Sequence, residues 1–306
     1  MSIAQPGDSP RLTPATGQLE TQGQQAGRTV WKNVPVEAPL SLEWIAERAG
    51  PSVAFRGHWA EKDVNLAETL ATGLERVCLR IDAGSLTRAL LREKSIVRQF
   101  RRRVHHYLPS MSLPAQSLEL VALMQHHGAP TRLLDWTYSL YVAAHFALKH
   151  ASSRPRADLA IWTIRPDWCR DASKAACGGM TNPPFALWES IEGPEDDRMA
   201  GINLLSGELP PSIWPVSPFK LNERLTIQQG VFLAPGDVTQ SFLWNLAVLP
   251  SSTEAELTRY TIPRSHSPEI ARTLYRMNVT ETTLFPGLDG FARSLWFFPE
   301  ILSQGG

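Results

Sequence analysis

Cysteine is nearly absent, with Cys78, Cys169 and Cys177 the three in 306 residues. An odd number without metal-ligand spacing argues against a disulfide scaffold and a thiolate-bound metal, and it fits reduced thiols in a reducing compartment. Net charge is absent too: thirty Lys and Arg balance thirty Asp and Glu. No global field therefore draws the chain to nucleic acid or to a membrane surface. There is no run of about 18 apolar residues, so no segment is expected to span a bilayer. The first residues carry neither a basic patch nor an apolar stretch, which argues against a secretory signal. These absences predict a cytoplasmic protein with no metal site and no membrane contact. Aromatic residues are missing from the first 29 positions, which are rich in Gln, Gly, Pro, Ser and Thr. Such a stretch cannot bury enough apolar surface to offset its ordering entropy, so residues 1–30 are expected to form a disordered tail.

What is present is a core. Hydrophobic residues make up 43% of the chain and charged ones 20%, as in a globular protein. Order is expected from Trp31, with a first short helix over 40–49. Apolar positions at Leu86, Leu90, Val97, Phe100, Val104 and Tyr107 predict a helix over 85–107, capped by Ser85 and stopped by Pro109. A second is expected over 115–127, with Gly128 as its C-terminal cap. A third starts near Thr137 or Ser139 and carries Val142, Ala143, Phe146 and Ala147 inward. Strands are expected over 53–56, 159–164, 230–233, 242–249 and 257–262, where β-branched and aromatic residues concentrate. Residues 172–218, dense in Gly and Pro, read as an irregular region holding short helices or a surface insertion. The whole predicts an α+β fold, with a helical N-terminal half packed on a mixed, mostly antiparallel sheet from the C-terminal half.

Three stretches carry chemistry. Phe55-Arg56-Gly57 sets an arginine at the end of a short apolar strand, beside a glycine that admits a second chain. Its planar fork of donors suits phosphate or carboxylate, and equally a surface carboxylate of the protein itself. The segment from Leu123 to Ala147 crowds His126, His127, Thr131, Arg132, Asp135, Trp136, Thr137 and Ser139 around a Gly/Pro turn, before a helix whose N-terminus can receive an anion. Asp135 pairing with Arg132, and Thr137 or Ser139 serving as a cap, are the plain alternatives. The third stretch is Asn222–Phe232, where Gln228 and Gln229 beside Gly230 either read a ribose or an amide or stand solvated at a strand edge. Arg88, Arg92, Arg98, Arg101, Arg102 and Arg103 form a phosphate-binding or, more simply, a solvated helix face.

Taken in order, Phe55-Arg56-Gly57, Glu93 with Phe100-Arg101-Arg102, Met124-Gln125-His126-His127-Gly128-Ala129-Pro130-Thr131-Arg132-Leu133-Leu134-Asp135-Trp136-Thr137, Gln228-Gln229-Gly230-Val231-Phe232 and Leu284-Phe285-Pro286-Gly287-Leu288-Asp289-Gly290 resemble the FRG domain family over about residues 39–300. More distantly, Arg56, then Thr137-Tyr138-Ser139 with the helix after it, then Asn222–Phe232 resemble the arginine, Ser-Thr-Ser and glutamate motifs of ADP-ribosyltransferases. Tyr138 departs from the second motif, and Glu223 stands for the glutamate only by its distance from Phe232. That resemblance implies an ADP-ribosyltransferase-like fold and NAD as substrate. It implies Arg56, Glu223 and Asp135 as catalytic residues. It implies a nucleotide pocket of Arg56, His126, Thr131, Arg132, Trp136, Thr137, Ser139, Gln228 and Gln229, with Trp136 or Phe146 as an apolar wall. A protein or nucleic acid would be the acceptor, and a toxin or anti-phage effector the setting. The alternatives from the same residues are a nucleotide-sensing module without catalysis and a nucleic-acid-binding module.

Overall fold

The computed structural model describes residues 31–36, 42–61, 69–108, 117–180, 191–250 and 256–295. The expected tail and the Pro109 stop lie outside them. Seven strands form one mixed sheet: β1 (Trp31–Pro35), β2 (Ala54–Ala60), β3 (Leu134–Thr137), β4 (Asp158–Ile164), β5 (Ile213–Val216), β6 (Gly230–Pro235) and β7 (Leu257–Ile262). Their spatial order is β1-β7-β4-β2-β3-β6-β5. Only β1 with β7 is parallel; the other pairs are antiparallel. The fold is α+β, as expected, but the strands come from both halves of the chain. β1 and β3 were not read as strands. β3 has only four residues, too few to show a period, and β5 lies in the region expected to be irregular, which also holds a helix (Pro194–Ser206). That region is part of the core, since Trp214 of β5 is fully buried.

Two core layers sandwich the sheet. On one face, helix α1 (Leu42–Ala49), helix α5 (Leu140–Ser152) and helix α10 (Ser267–Arg276) bury Phe55, Trp59, Leu159, Ile161, Tyr260 and Ile262. On the other, Trp136, Trp162, Ile164, Val231 and Leu233 pack with Cys169 and Ala172 of α6 (Pro166–Ala176) and with Phe242 and Leu246 of α9 (Phe242–Ala247). β4 is buried on both faces, which is why it reads as an unbroken apolar run.

The remaining helices are α2 (Gly73–Ile81), α3 (Ala89–Arg103), α4 (Leu118–His126), α7 (Pro194–Ser206), α8 (Glu223–Ile227), α11 (Glu281–Leu284) and α12 (Leu288–Ser294). α4 and α5 begin and end close to expectation: Ser117 and Ser139 cap them, and Gly128 takes the left-handed conformation (φ +78°) after α4. Two readings are corrected. Ser85 does not cap the long basic helix; its hydroxyl accepts from the Thr87 amide in a turn, and α3 starts at Ala89. Residues 242–247 are a helix, not a strand. Ser241 caps it, and a helix places buried Asn245 to accept from the Ser212 and Asp237 amides while donating to the Asp237 and Ser241 carbonyls. A continuous apolar run does not distinguish the two conformations.

Candidate functional site

The site is built where the sheet comes apart. β2 and β3 pair at one position, Phe55 opposite Thr137. Gly57 lies two residues further on, directly under α5. A Cβ there would come 1.7 Å from the Ala143 carbonyl oxygen and 2.6 Å from the Ala147 nitrogen, so no side chain fits. Beyond that pair the strands diverge, and Arg56 bridges them. Its Nη1 donates to the Asp135 carbonyl at 2.8 Å, and its Nε to the Thr69 carbonyl at 3.3 Å. Burial lowers the Arg56 pKa to about 10; Asp135 pulls it up and the nearby Arg76 pushes it down. It is still a cation at neutral pH, and no carboxylate forms an ion pair with it among the described residues.

A hydrogen-bonded chain extends from this point. Asp135 is exposed, and its carboxylate accepts from Gln125 Nε2 at 2.9 Å; the other end of the Gln125 amide accepts from the Thr131 hydroxyl at 2.6 Å. The end of α4, the turn after it and β3 are thus tied to Arg56 of β2. Thr137 and Ser139 brace the same region. The Thr137 hydroxyl donates to the Gln228 carbonyl at 2.6 Å and accepts from the Ser139 amide. The Tyr138 amide donates to the Gln229 carbonyl at 2.9 Å. Gln229, in the left-handed region at φ +47°, is exposed, whereas the Gln228 side chain is engaged with the Leu284 carbonyl.

Other expected residues are placed differently. Arg132 is fully buried. Its Nε donates to Glu93 at 2.7 Å, its Nη2 to the same carboxylate, and its Nη1 to the Pro235 and Gly236 carbonyls. It is a core cross-link with no face left for a ligand, not a pocket residue. Trp136 is packed in the core against α6 and α9 and offers no wall; half-buried Phe146 of α5 packs on buried Phe285 instead. Glu223 is exposed as the first residue of α8, and the Arg56 donors go to Thr69 and Asp135 rather than to it; its neighbour Arg224 lies over the Phe285 ring and within the field of Asp135. His126 stands at the C-terminal end of α4, where the helix dipole favours a cation. Its pKa is nevertheless lowered, by desolvation first and then by His127 and Arg224. His127 is exposed.

The sequence reading passed over a pair of histidines. His58, two residues beyond Arg56, stacks on His150 of α5 with ring centroids 4.6 Å apart and planes at 18°. Phe146 continues the stack over His150 at 6.4 Å and meets Phe285 edge-on at 6.0 Å. Burial, then His150, Arg56 and Arg76, push His58 well below its ordinary pKa; burial, then Arg56, Lys149, Arg76 and His145, push His150 to about 4. Alternation along β2 and the i, i+4 spacing of Phe146 and His150 were the available signals.

A separate cavity of about 320 Å³ lies among α5, α10, α11 and α12, lined by Leu148, Leu274, Tyr275, Val279 and Phe291 with Glu281 and Lys149. None of the expected site residues lines it. Its carboxylate is already bound by His145, Lys149 and Arg293.

Residues 51–156, about a third of the chain, match the model of the FRG domain. The chain carries an FRG domain. That span runs from just before β2 through α5 and so contains Arg56, Asp135, His58 and His150, while β6, α8 and the C-terminal helices lie beyond it. No curated protein and no solved structure matches the chain. Among the described residues no helix is long and apolar enough to cross a membrane, and no cluster of His, Cys, Asp or Glu suits a metal.

Proposed function

We propose that this FRG-domain protein binds a nucleotide at the β2–β3 divergence and uses NAD as an ADP-ribosyltransferase-like enzyme or NAD glycohydrolase. One observation carries the reading: a cationic arginine held at the parting of two strands by backbone carbonyls, with an exposed carboxylate beside it. A guanidinium fixed in that way keeps donors oriented for phosphate or ribose oxygens. Cleavage of NAD breaks the ribose C1′–nicotinamide N bond. Its electron pair leaves with nicotinamide, and positive charge develops on the ribose. A carboxylate close by stabilises that charge and takes the proton of the incoming water or acceptor hydroxyl. Asp135 holds this role best, because Gln125 orients it next to Arg56. Glu223 is the more distant candidate. Thr137 and Ser139 brace the strand and the helix start, Phe146 supplies the apolar wall, and His126 and Gln229 stand where an acceptor protein or nucleic acid would approach. A cytoplasmic NAD-consuming activity suits a toxin or anti-phage effector.

A second reading is favoured by the residues entering β6. Gln228 and Gln229 stand where the resemblance seeks a glutamate, and a neutral amide does not stabilise an oxocarbenium-like ribose as an anion does. The protein would then sense a nucleotide without turning it over.

Purified protein incubated with NAD should release nicotinamide, and Arg56→Ala should abolish release. The same variant should lose only roughly 1–3 kcal/mol of stability, since two hydrogen bonds to carbonyls go but no buried ion is stranded. Turnover undiminished in Arg56→Ala would sink the transferase reading. NAD bound but intact would support the sensing module instead.

A further inference from the structure

His58 is 6% exposed, and its Nδ1 is buried without a hydrogen bond of good geometry, the Trp59 backbone acting on the ring only as the smallest of its influences. A buried orphan of this kind is unfavourable, so its persistence calls for an explanation. Its surroundings point to a ligand rather than to packing alone. The ring lies stacked on His150, and the groups whose charge reaches this pair are basic: Arg56 of β2, Arg76 of α2, and Lys149 and His145 of α5. Asp135 acts on Arg56, and Glu281 holds Lys149 and His145. Three elements therefore bring basic side chains to one place, and among the described residues no carboxylate pairs with either histidine. Stacked rings present their nitrogens side by side rather than converging on one point, which suits an extended anion better than a metal ion.

We propose that His58 and His150, together with the Arg56 and Arg76 guanidinium groups, form a subsite for the diphosphate of a nucleotide. It rests on the nucleotide reading of the same divergence, though not on any turnover there. The imidazoles are neutral in the free protein. An anion between them and the arginines would hold a proton on at least one ring, which then donates to a phosphate oxygen. Binding would take up protons from solvent. Between about pH 4 and the bound-state pKa, affinity should rise as pH falls, by up to about tenfold per pH unit for each proton taken up.

The test is calorimetric titration of the full chain with ADP, and separately with inorganic pyrophosphate, at pH 5.5 and 7.5 in two buffers of different ionisation heat. His58→Gln and His150→Gln serve as controls that also cancel the titration of the ligand itself. Wild-type protein should bind both probes, take up protons, and gain at least threefold in affinity at pH 5.5 relative to the variants. ADP tighter than pyrophosphate assigns the subsite to a nucleotide, and equal or weaker ADP binding would overturn that assignment. His150→Gln changes a residue less buried than His58, so it keeps the test decisive if His58→Gln fails to fold. Binding without proton uptake, or unchanged by His150→Gln, would overturn the proposal even if NAD is consumed. Proton-linked ADP binding with no release of nicotinamide from NAD would uphold it while ending the transferase reading.

Discussion

Two arginines in one site region show how little residue type alone decides. Arg56 and Arg132 both stood in dense polar motifs, and both were read as ligand-binding. Arg132 is bidentate to buried Glu93, with two further carbonyls completing its donors. Arg56 keeps a cationic head between backbone carbonyls. The partner that separates them, Glu93, lies on α3, and no local pattern announces a pairing across that distance in sequence. The consequence is measurable. Arg132→Ala should destabilise the protein by about 3–5 kcal/mol in urea unfolding, because it leaves the Glu93 carboxylate buried and uncompensated. Replacing both partners with apolar residues, Arg132→Met with Glu93→Leu, should recover much of the loss. A single-variant loss below about 1 kcal/mol would mean that the pair is solvated and that Arg132 is available to ligands after all.

At the scale of elements, boundaries with a chemical marker were readable and those without one were not. Ser139 and Gly128 mark helix ends through a hydroxyl acceptor and a left-handed backbone, and α4 and α5 follow from them. Residues 134–137 lacked such a marker. Their strand exists because β6 lies beside them in the fold, with Leu134 opposite Leu233 and Trp136 opposite Val231. The site inherits this division. Arg56, Asp135, Thr137 and Ser139 were visible from their motifs. His58 and His150 were not, because their meeting depends on how closely α5 lies on β2. Gly57 sets that closeness, and Gly57→Ala tests it. The added methyl would meet helix backbone rather than a yielding side chain. Overpacking a core costs about 1–3 kcal/mol, and occasionally more. A rigid obstacle puts this variant at or beyond the upper end, read as a lowered urea midpoint. Where the protein still folds, α5 is displaced and the His58–His150 stack should open, raising the His150 pKa from about 4 toward its ordinary value as followed by NMR. An unchanged midpoint and an unchanged His150 titration would show that the strand–helix contact does not govern the site.

Across the whole molecule, one carboxylate ties the last two helices, α11 and α12, to α5. Glu281 of α11 is buried, accepts from Lys149 at 2.7 Å and Arg293 at 3.1 Å, and lies 3.1 Å from the His145 ring. The Phe285 ring beside it carries Lys149, Arg224 and Arg293 over its surface. This knot joins α5, α8, α11 and α12, so the site's helical wall depends on residues well outside the matched domain. Burial alone would raise the Glu281 pKa, yet the hydrogen bonds and charges of His145 and Lys149 bring it down to about 2, from an ordinary 4.5. A carboxyl with a depressed folded-state pKa binds fewer protons when folded than when unfolded, so stability falls as the unfolded chain begins to take up protons. The Glu281 contribution is therefore complete above pH 4.5 and disappears as pH falls toward 2. Urea midpoints of the wild type and Glu281→Gln, measured from pH 6 down to pH 2, isolate it, since the other carboxylates are common to both proteins. The gap between the two should be wide at pH 6, begin to narrow near pH 4.5, and close near pH 2. A gap that stays constant over this range would mean that Glu281 is held by shape rather than by charge, and the C-terminal helices would then owe their attachment to Leu284 and Phe285 alone.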